Sequence, residues 1–215
     1  MKGDNYLSTK QVINTFLKNL KNKNIKPLIK DRKPILLIDQ DDVLAKYVDR
    51  VLSICNSVYN TNYTLNDITN WNITSIIKEN IEGIMFNPTI YNDLELVEGC
   101  TEVLKFLIKY ELCEIYIVTA AHPTVCGNKH QWVKDLLPFF PAENMIFTTH
   151  KNLIQGDILF DDGPHNVLKF KNGEPILFDK PYNKDVKDIK RVSDWEEFLI
   201  YVLNKFYPCN KEIQQ

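Results

Sequence analysis

The chain has 215 residues, of which 44% are hydrophobic and 25% are charged, and these ordinary globular values exclude wholesale disorder. The 26 basic and 28 acidic residues give a net charge of −2, which excludes a general nucleic-acid coat. Five scattered cysteines without a CxxC pair fit a reducing compartment, and no apolar run approaches the ~20 residues that span a bilayer. We therefore expect one domain, with or without an insertion, that is cytoplasmic and has no membrane contact.

The N-terminal residues 1–33 form a basic segment that carries +7, from nine Lys and Arg against two Asp, while the rest of the chain carries −9. Ser8 or Thr9 can cap a helix that runs to about Leu20, because apolar residues recur at helical spacing. We interpret 1–33 as a basic helical extension with a solvated charged face. The alternative is an arm that binds a polyanion or a partner.

Short apolar runs along the rest of the chain predict strands at 35–39, 115–119, 145–147, 158–161 and 176–178. Predicted helices alternate with them at 101–109, 129–137 and 194–206. This alternation is typical of an α/β fold whose Rossmann-like parallel sheet is covered on both faces.

The polar region 47–98 interrupts the alternation after the first strand and contains aromatic residues and predicted helices at 48–59 and 75–86. We interpret it as a small helical cap inserted into the core. The predicted organisation is therefore a catalytic core at 34–46 and 99–207, the cap at 47–98 and a tail at 208–215.

Three apolar strands end in polar residues, and the carboxyl ends of parallel strands meet at the edge where such sheets bind ligands. Asp39 and Asp41 follow the first strand, Thr119 ends the second, and Asp161 and Asp162 end another. Carboxylates brought together in this way repel one another unless a cation lies between them. An all-oxygen set without His or Cys predicts a hard cation, Mg²⁺ first, held by Asp39, Asp41, Asp161 and Asp162.

A carboxylate-bound Mg²⁺ commonly also binds a phosphate oxygen, so the site predicts phosphoryl chemistry. Asp39 can attack phosphorus to give an aspartyl-phosphate, and Asp41 can act as general acid. Thr119 can hold the phosphate, and Lys151, ten residues before Asp161, can balance charge. Lys129 is the alternative to Lys151 in that role.

These residues resemble, in family order, the four motifs of the haloacid-dehalogenase (HAD) superfamily of phosphatases: DQDDV at 39–43, Thr119, Lys151 and Asp161-Asp162. The segments ILLIDQDDVLAKY, LELVEG, KHQWV, FTTHKN, LFDKPYN and SDWEEF further resemble the 5′(3′)-deoxyribonucleotidases over about residues 35–200. Three positions depart from that pattern: Asp42 replaces the usual Gly, Ala120 replaces a phosphate-binding Ser, and Met85 replaces an aromatic residue.

The resemblance implies a Mg²⁺-dependent hydrolase, and the cap is the segment placed to select its substrate. Its candidate base-contacting residues are Tyr47, Trp71, Met85 and Phe86, which are alternatively core residues of the cap. The candidate phosphate-contacting residues are Thr119, Ala120 and Lys151.

The predicted substrate is a small-molecule nucleoside monophosphate, with deoxyribonucleotides preferred; nucleic acid is not an expected partner, and a homodimer is a possible assembly. One alternative is a HAD phosphatase for another phosphomonoester, either a sugar phosphate or a nucleic-acid 3′-phosphate end. A second alternative is a non-catalytic phospho-accepting module, because receiver domains also combine an acidic pair with Asp, Thr and Lys.

Overall fold

A computed structural model describes residues 9–21, 25 and 27–208, so the predictions for residues 1–8, 22–24, 26 and 209–215 lie outside the described residues. The centre of the fold is a six-stranded, fully parallel sheet with the strand order β3-β2-β1-β4-β5-β6. Its strands are β1 (Ile35–Ile38), β2 (Glu114–Thr119), β3 (Met145–Phe147), β4 (Ile158–Asp161), β5 (Glu174–Phe178) and β6 (Lys190–Val192). The predicted parallel α/β sheet is confirmed.

The helices of the described residues are α1 (Thr9–Lys21), α2 (Tyr47–Tyr59), α3 (Glu82–Met85), α4 (Cys100–Lys109), α5 (Cys126–Leu136), α6 (Pro164–Lys169) and α7 (Trp195–Phe206). Side chains alternate between the two faces of each strand, so each strand contributes to two cores. Leu36 and Ile38 enter the main core with residues of α4 and α7, whereas Leu37 enters a smaller core with Phe170, which follows α6. None of the described helices has the length and apolarity needed to cross a membrane.

Two features of the fold differ from the sequence-based expectations. The predicted helix at 75–86 is wrong, because the structure has only the single turn α3 there, after a separate 3-10 turn at Ile73–Ser75. Just before α3, the side chain of Asn80 accepts a hydrogen bond from the backbone N–H of Glu82, and such local contacts compete with a continuous helix. The second difference is that β6 and α6, which are short and partly polar, were not predicted.

The cap region 47–98 leaves the core just after β1 and returns just before α4. The two crossing segments pair with each other, since Lys46 N–H donates to the Glu95 carbonyl at 2.9 Å and Val97 N–H donates to the Leu44 carbonyl at 2.8 Å. The indole of Trp132 donates to the Leu94 carbonyl, and that of Trp195 donates to the Val43 carbonyl. Buried tryptophans of the core therefore fix both crossings, which sets where the cap lies above the sheet edge.

The helix α1 packs on the core. The buried ring of Phe16 makes edge contacts with Phe106 at 5.8 Å and with Tyr207 at 6.1 Å between ring centroids. Further along, the Arg32 guanidinium pairs with both carboxylate oxygens of Asp157, at 2.5 and 2.7 Å. The described part of the basic segment is thus attached to the domain by apolar and ionic contacts.

Candidate active site

The carboxyl ends of β1, β2 and β4 are neighbours in the sheet, and they bring the predicted catalytic side chains to one edge. Asp39 lies directly after β1, Thr119 ends β2, and Asp161 ends β4. All three side chains are buried, although each is polar. Polar groups in such a position need partners, so their contacts indicate what the site is built to do.

Lys151 connects the first and fourth strands through two carboxylates. Its ammonium lies 2.6 Å from Oδ1 of Asp39 and 2.7 Å from Oδ2 of Asp161. Burial lowers the pKa of Lys151, but the two carboxylates outweigh it and raise that pKa above its usual range. Lys151 is therefore a permanently charged group that is fixed beside Asp39.

The same carboxylate oxygen of Asp39 contacts both Lys151 and the neighbouring backbone. Oδ1 accepts the backbone N–H of Gln40 at 2.8 Å as well as the Lys151 ammonium. Oδ2 takes part in neither of these contacts, so it is the candidate attacking oxygen. The two contacts of Oδ1 hold the carboxylate in one orientation, as an attacking group requires.

The two acidic residues at the end of β4 also differ in how many of their carboxylate oxygens are hydrogen-bonded. Asp161 is saturated, because its oxygens accept from Lys151, from the Gly163 backbone and from the Asn166 amide. Asp162 is buried, and among the described residues its Oδ1 has no hydrogen-bond partner. That atom fits a cation ligand better than either oxygen of Asp161.

The carboxylates of Asp39, Asp161 and Asp162 place ligand atoms within 4.8 Å of one another. Burial, together with the nearby carboxylates, raises the pKa of Asp162 well above its usual range. Burial also raises the pKa of Asp39 to about 6, despite the opposing charge of Lys151. A bound divalent cation would relieve this repulsion, and the unpartnered Oδ1 of Asp162 gives it a ligand.

Asp41 points towards a different set of partners. Its Oδ2 accepts from the buried Lys129 ammonium at 2.7 Å, and the Tyr91 hydroxyl lies 3.3 Å from the same oxygen. Lys129 also donates to Oγ1 of Thr119 at 2.7 Å and to the carbonyl of Ala120 at 2.8 Å. Lys129 thus joins the candidate acid to the candidate phosphate-binding threonine, while Lys151 serves Asp39.

Asp42 occupies a backbone conformation that glycine adopts freely. Its φ is 56°, in the left-handed region where Asp is one of the better tolerated side chains. Its carboxylate accepts the backbone N–H of Val48 at 3.0 Å, in the first turn of α2. The loop after β1 therefore has a glycine-like path, and the added carboxylate supports the start of the cap.

A cavity of about 200 Å³ lies between the sheet edge and the cap. The predicted site residues that line it are Asp39, Asp41, Tyr47, Trp71, Met85, Thr119, Ala120 and Lys151. Phe86 does not line it: this side chain is 55% exposed and contacts His122 instead. Tyr47 donates its hydroxyl to the Met85 carbonyl, whereas the partly exposed Trp71 packs beside His165 and Tyr182.

Sequence reasoning missed several residues that the fold brings into the site. Lys129 was considered only as a substitute for Lys151, although both lysines are buried there. Tyr91 and Tyr182 also reach the site, from the cap and from the segment after β5. Neither tyrosine follows one of the predicted catalytic strand ends, and only the LFDKPYN resemblance included Tyr182.

Sequence comparisons with known proteins place this chain in a family. The family model described as "5′ nucleotidase, deoxy (Pyrimidine), cytosolic type C protein" matches residues 33–206. The 5′(3′)-deoxyribonucleotidase of Bacillus subtilis is 33% identical over 168 residues, covering 77% of this chain and 96% of that protein. The Clostridium acetobutylicum protein of the same name is 34% identical over 169 residues, covering 77% of this chain and 92% of that protein.

The fold also resembles solved structures. A HAD family hydrolase from Deinococcus radiodurans, crystallised with bound phosphate and sodium, superposes with a TM-score of 0.56 at 12% identity. The match covers 82% of this chain and 97% of that chain. At this level of identity the likeness supports the fold, and it agrees with the Rossmann-like sheet described above.

Proposed function

Because this chain belongs to the family of cytosolic type C 5′-nucleotidases, which are phosphoric monoester hydrolases, we propose that it hydrolyses deoxynucleoside monophosphates to nucleoside and phosphate. The observation that carries this proposal is the position of Asp39 in the cavity. One of its oxygens is held by Lys151 and a backbone N–H, and the residue lines the cavity between the sheet edge and the cap. Family membership excludes the alternative of a non-catalytic phospho-accepting module.

We propose Mg²⁺ as the cofactor, because the donor set consists of oxygens alone and includes an unpartnered buried carboxylate oxygen. Asp39 and Asp162 would hold the ion through their side chains, and Asp161 would support it while pairing with Lys151. For Asp41, which lies outside the cluster, the proposed ligand is the backbone carbonyl. When bound, the ion would neutralise phosphate charge and bring the phosphorus to Asp39.

In the first half of the proposed reaction, Asp39 attacks the phosphorus atom, and the bond to the nucleoside oxygen breaks. Asp41 gives a proton to that leaving oxygen, and Lys151 and Thr119 hold the phosphate oxygens. The product on the enzyme is an aspartyl-phosphate at Asp39. Lys129 orients Asp41 and Thr119 relative to each other through its short contacts with both.

In the second half, Asp41 accepts a proton from a water molecule, which attacks the phosphorus of the aspartyl-phosphate. The phosphorus–oxygen bond to Asp39 breaks, so inorganic phosphate is released and the carboxylate is regenerated. The same carboxyl group therefore serves first as acid and then as base.

The proposed substrate class is tested by measuring phosphate release from a panel of phosphomonoesters with MgCl₂ and with EDTA. The panel contains 5′- and 3′-monophosphates of deoxy- and ribonucleosides, a hexose phosphate and an oligonucleotide with a 3′-phosphate. We expect the highest kcat/KM for a deoxynucleoside monophosphate, and no turnover in EDTA. A preference for the hexose phosphate or the oligonucleotide would contradict the substrate, and full turnover in excess EDTA would contradict the metal.

A further inference from the structure

Tyr182 is a buried tyrosine that contacts the candidate cation ligand Asp162. Its hydroxyl donates a hydrogen bond of 2.6 Å to Oδ2 of Asp162. Since Oδ1 of the same carboxylate has no partner among the described residues, the tyrosine fills one oxygen and leaves the other open.

The turn that carries Tyr182 is fixed to the neighbouring strand ends. It is a 3-10 turn at Pro181–Asn183, shortly after β5. The Asn183 side-chain amide donates to the backbone carbonyls of Asp162 at 2.9 Å and of Phe178 at 2.7 Å. The Arg191 guanidinium in turn donates to Oδ1 of Asn183 at 2.6 Å. Tyr182 is therefore held against Asp162 by a preorganised network.

We propose that Tyr182 is a positioning residue for the cation: its hydroxyl fixes the rotation of the Asp162 carboxylate, so that Oδ1 faces the Asp39 and Asp161 ligand atoms. Without this hydrogen bond the Asp162 carboxylate rotates more freely. Cation binding must then also restrict that rotation, which weakens the affinity. The inference rests on the proposed function, because it takes Mg²⁺ to occupy the acidic cluster. Only the hydroxyl is assigned this role, since the ring separately lines the cavity and contacts Trp71.

The test is the variant Tyr182→Phe, which keeps the ring and removes the hydroxyl. The full-length, metal-free protein is titrated with MgCl₂ in a calorimeter, without substrate. We expect the dissociation constant for Mg²⁺ to rise about 10- to 100-fold, the usual effect of removing a partner that orients a metal ligand. We also expect turnover lost at low MgCl₂ to recover as MgCl₂ is raised, which a purely structural defect would not do.

The matched control is Tyr201→Phe. Tyr201 also donates its hydroxyl to a carboxylate, that of Glu174, and neither residue lines the cavity. This control should leave the Mg²⁺ dissociation constant unchanged. If Tyr182→Phe is not folded by circular dichroism, Tyr182→Met replaces it, because it also fills the space without a donor.

Two results would overturn the inference, and they differ in what else they overturn. A folded Tyr182→Phe protein with the wild-type Mg²⁺ dissociation constant would refute the role of Tyr182 alone. A wild-type protein that does not bind Mg²⁺ would refute this role together with the cation of the proposed function.

Discussion

Asp39 and Asp41 are two residues apart, yet they contact different lysines. Asp39 contacts Lys151 and the Gln40 backbone, while Asp41 contacts Lys129 and Tyr91. The sequence alone predicts that both carboxylates lie in the site, because both follow a buried strand. It could not divide the two lysines between them, since that depends on which way α5 and the segment after β3 present their side chains.

Replacing the proposed general acid should make the enzyme sensitive to its leaving group. For Asp41→Asn we expect kcat/KM, which reports only the steps up to departure of the leaving group, to fall about 10²- to 10⁴-fold on a nucleotide. An aryl phosphate should lose far less, because its leaving group needs little protonation. Steady-state kinetics on both substrates checks this. Equal losses on the two substrates would argue against Asp41 as the acid.

The buried carboxylates predict how the stability of the metal-free protein depends on pH. Burial raises the pKa of Asp39 to about 6 and that of Asp42 to about 7, above the ~3.9 of an unfolded Asp. Between these values the folded state binds more protons than the unfolded state, so its stability falls as pH rises from about 4 to about 7. Thermal unfolding in EDTA should show this fall.

One variant and one added ion test whether the buried carboxylates cause this fall in stability. Asp42→Asn should reduce the fall, because it removes one buried charge while keeping a side chain that tolerates the left-handed backbone. Excess MgCl₂ should also reduce the fall by stabilising the ionised carboxylates. A melting temperature that rises from pH 5 to pH 7 in EDTA would contradict the account.

The largely apolar strands could be predicted from the sequence, whereas the edge strand β6 and the irregular cap could not. Most residues of β1, β2 and β4 are buried, so these strands appear in the sequence as largely apolar runs. β6 is a three-residue edge strand with the sequence KRV, which carries no such signal. In the cap, the Asn80 side chain hydrogen-bonds to the backbone at the start of α3, a local contact that hydrophobic spacing does not reveal.

The cap should control substrate choice, and Trp71 is the aromatic side chain that best tests this. It lines the cavity and remains 43% exposed, whereas the Tyr47 hydroxyl is bonded within the cap. A base stacked on an aromatic ring contributes ~1–3 kcal/mol, so Trp71→Ala should lower kcat/KM for a nucleotide about 5- to 150-fold. Kinetics with a small aryl phosphate should show a much smaller loss. Equal losses would make Trp71 a structural residue.

The described part of the basic N-terminal segment forms ion pairs with the rest of the domain. Arg32 pairs with Asp157 and Lys33 pairs with Glu111, so part of its charge is balanced by acids of the core. The sequence showed the amphipathic pattern of α1, but the packing of Phe16 on Phe106 and Tyr207 depends on the tertiary fold.

Removing the buried ring of α1 should lower stability without changing catalysis. Phe16→Ala should cost about 3–5 kcal/mol, as large-to-small changes in a core do, and should lower the melting temperature. Thermal unfolding measures the loss, and kcat/KM of the folded fraction should match the wild type. On the same helix, Leu20→Ala is the control, because Leu20 is 37% exposed and should cost much less. Similar losses in both variants would contradict the packing described for α1.

The proposed function depends on a covalent phosphate on Asp39. The most direct measurement is a rapid acid quench of the wild-type protein during turnover of a deoxynucleoside monophosphate with a radiolabelled phosphate, followed by peptide mapping. We expect transient label on the peptide that contains Asp39, and neither label nor phosphate release with Asp39→Asn. Label on another residue, or phosphate release by Asp39→Asn at the wild-type rate, would contradict it.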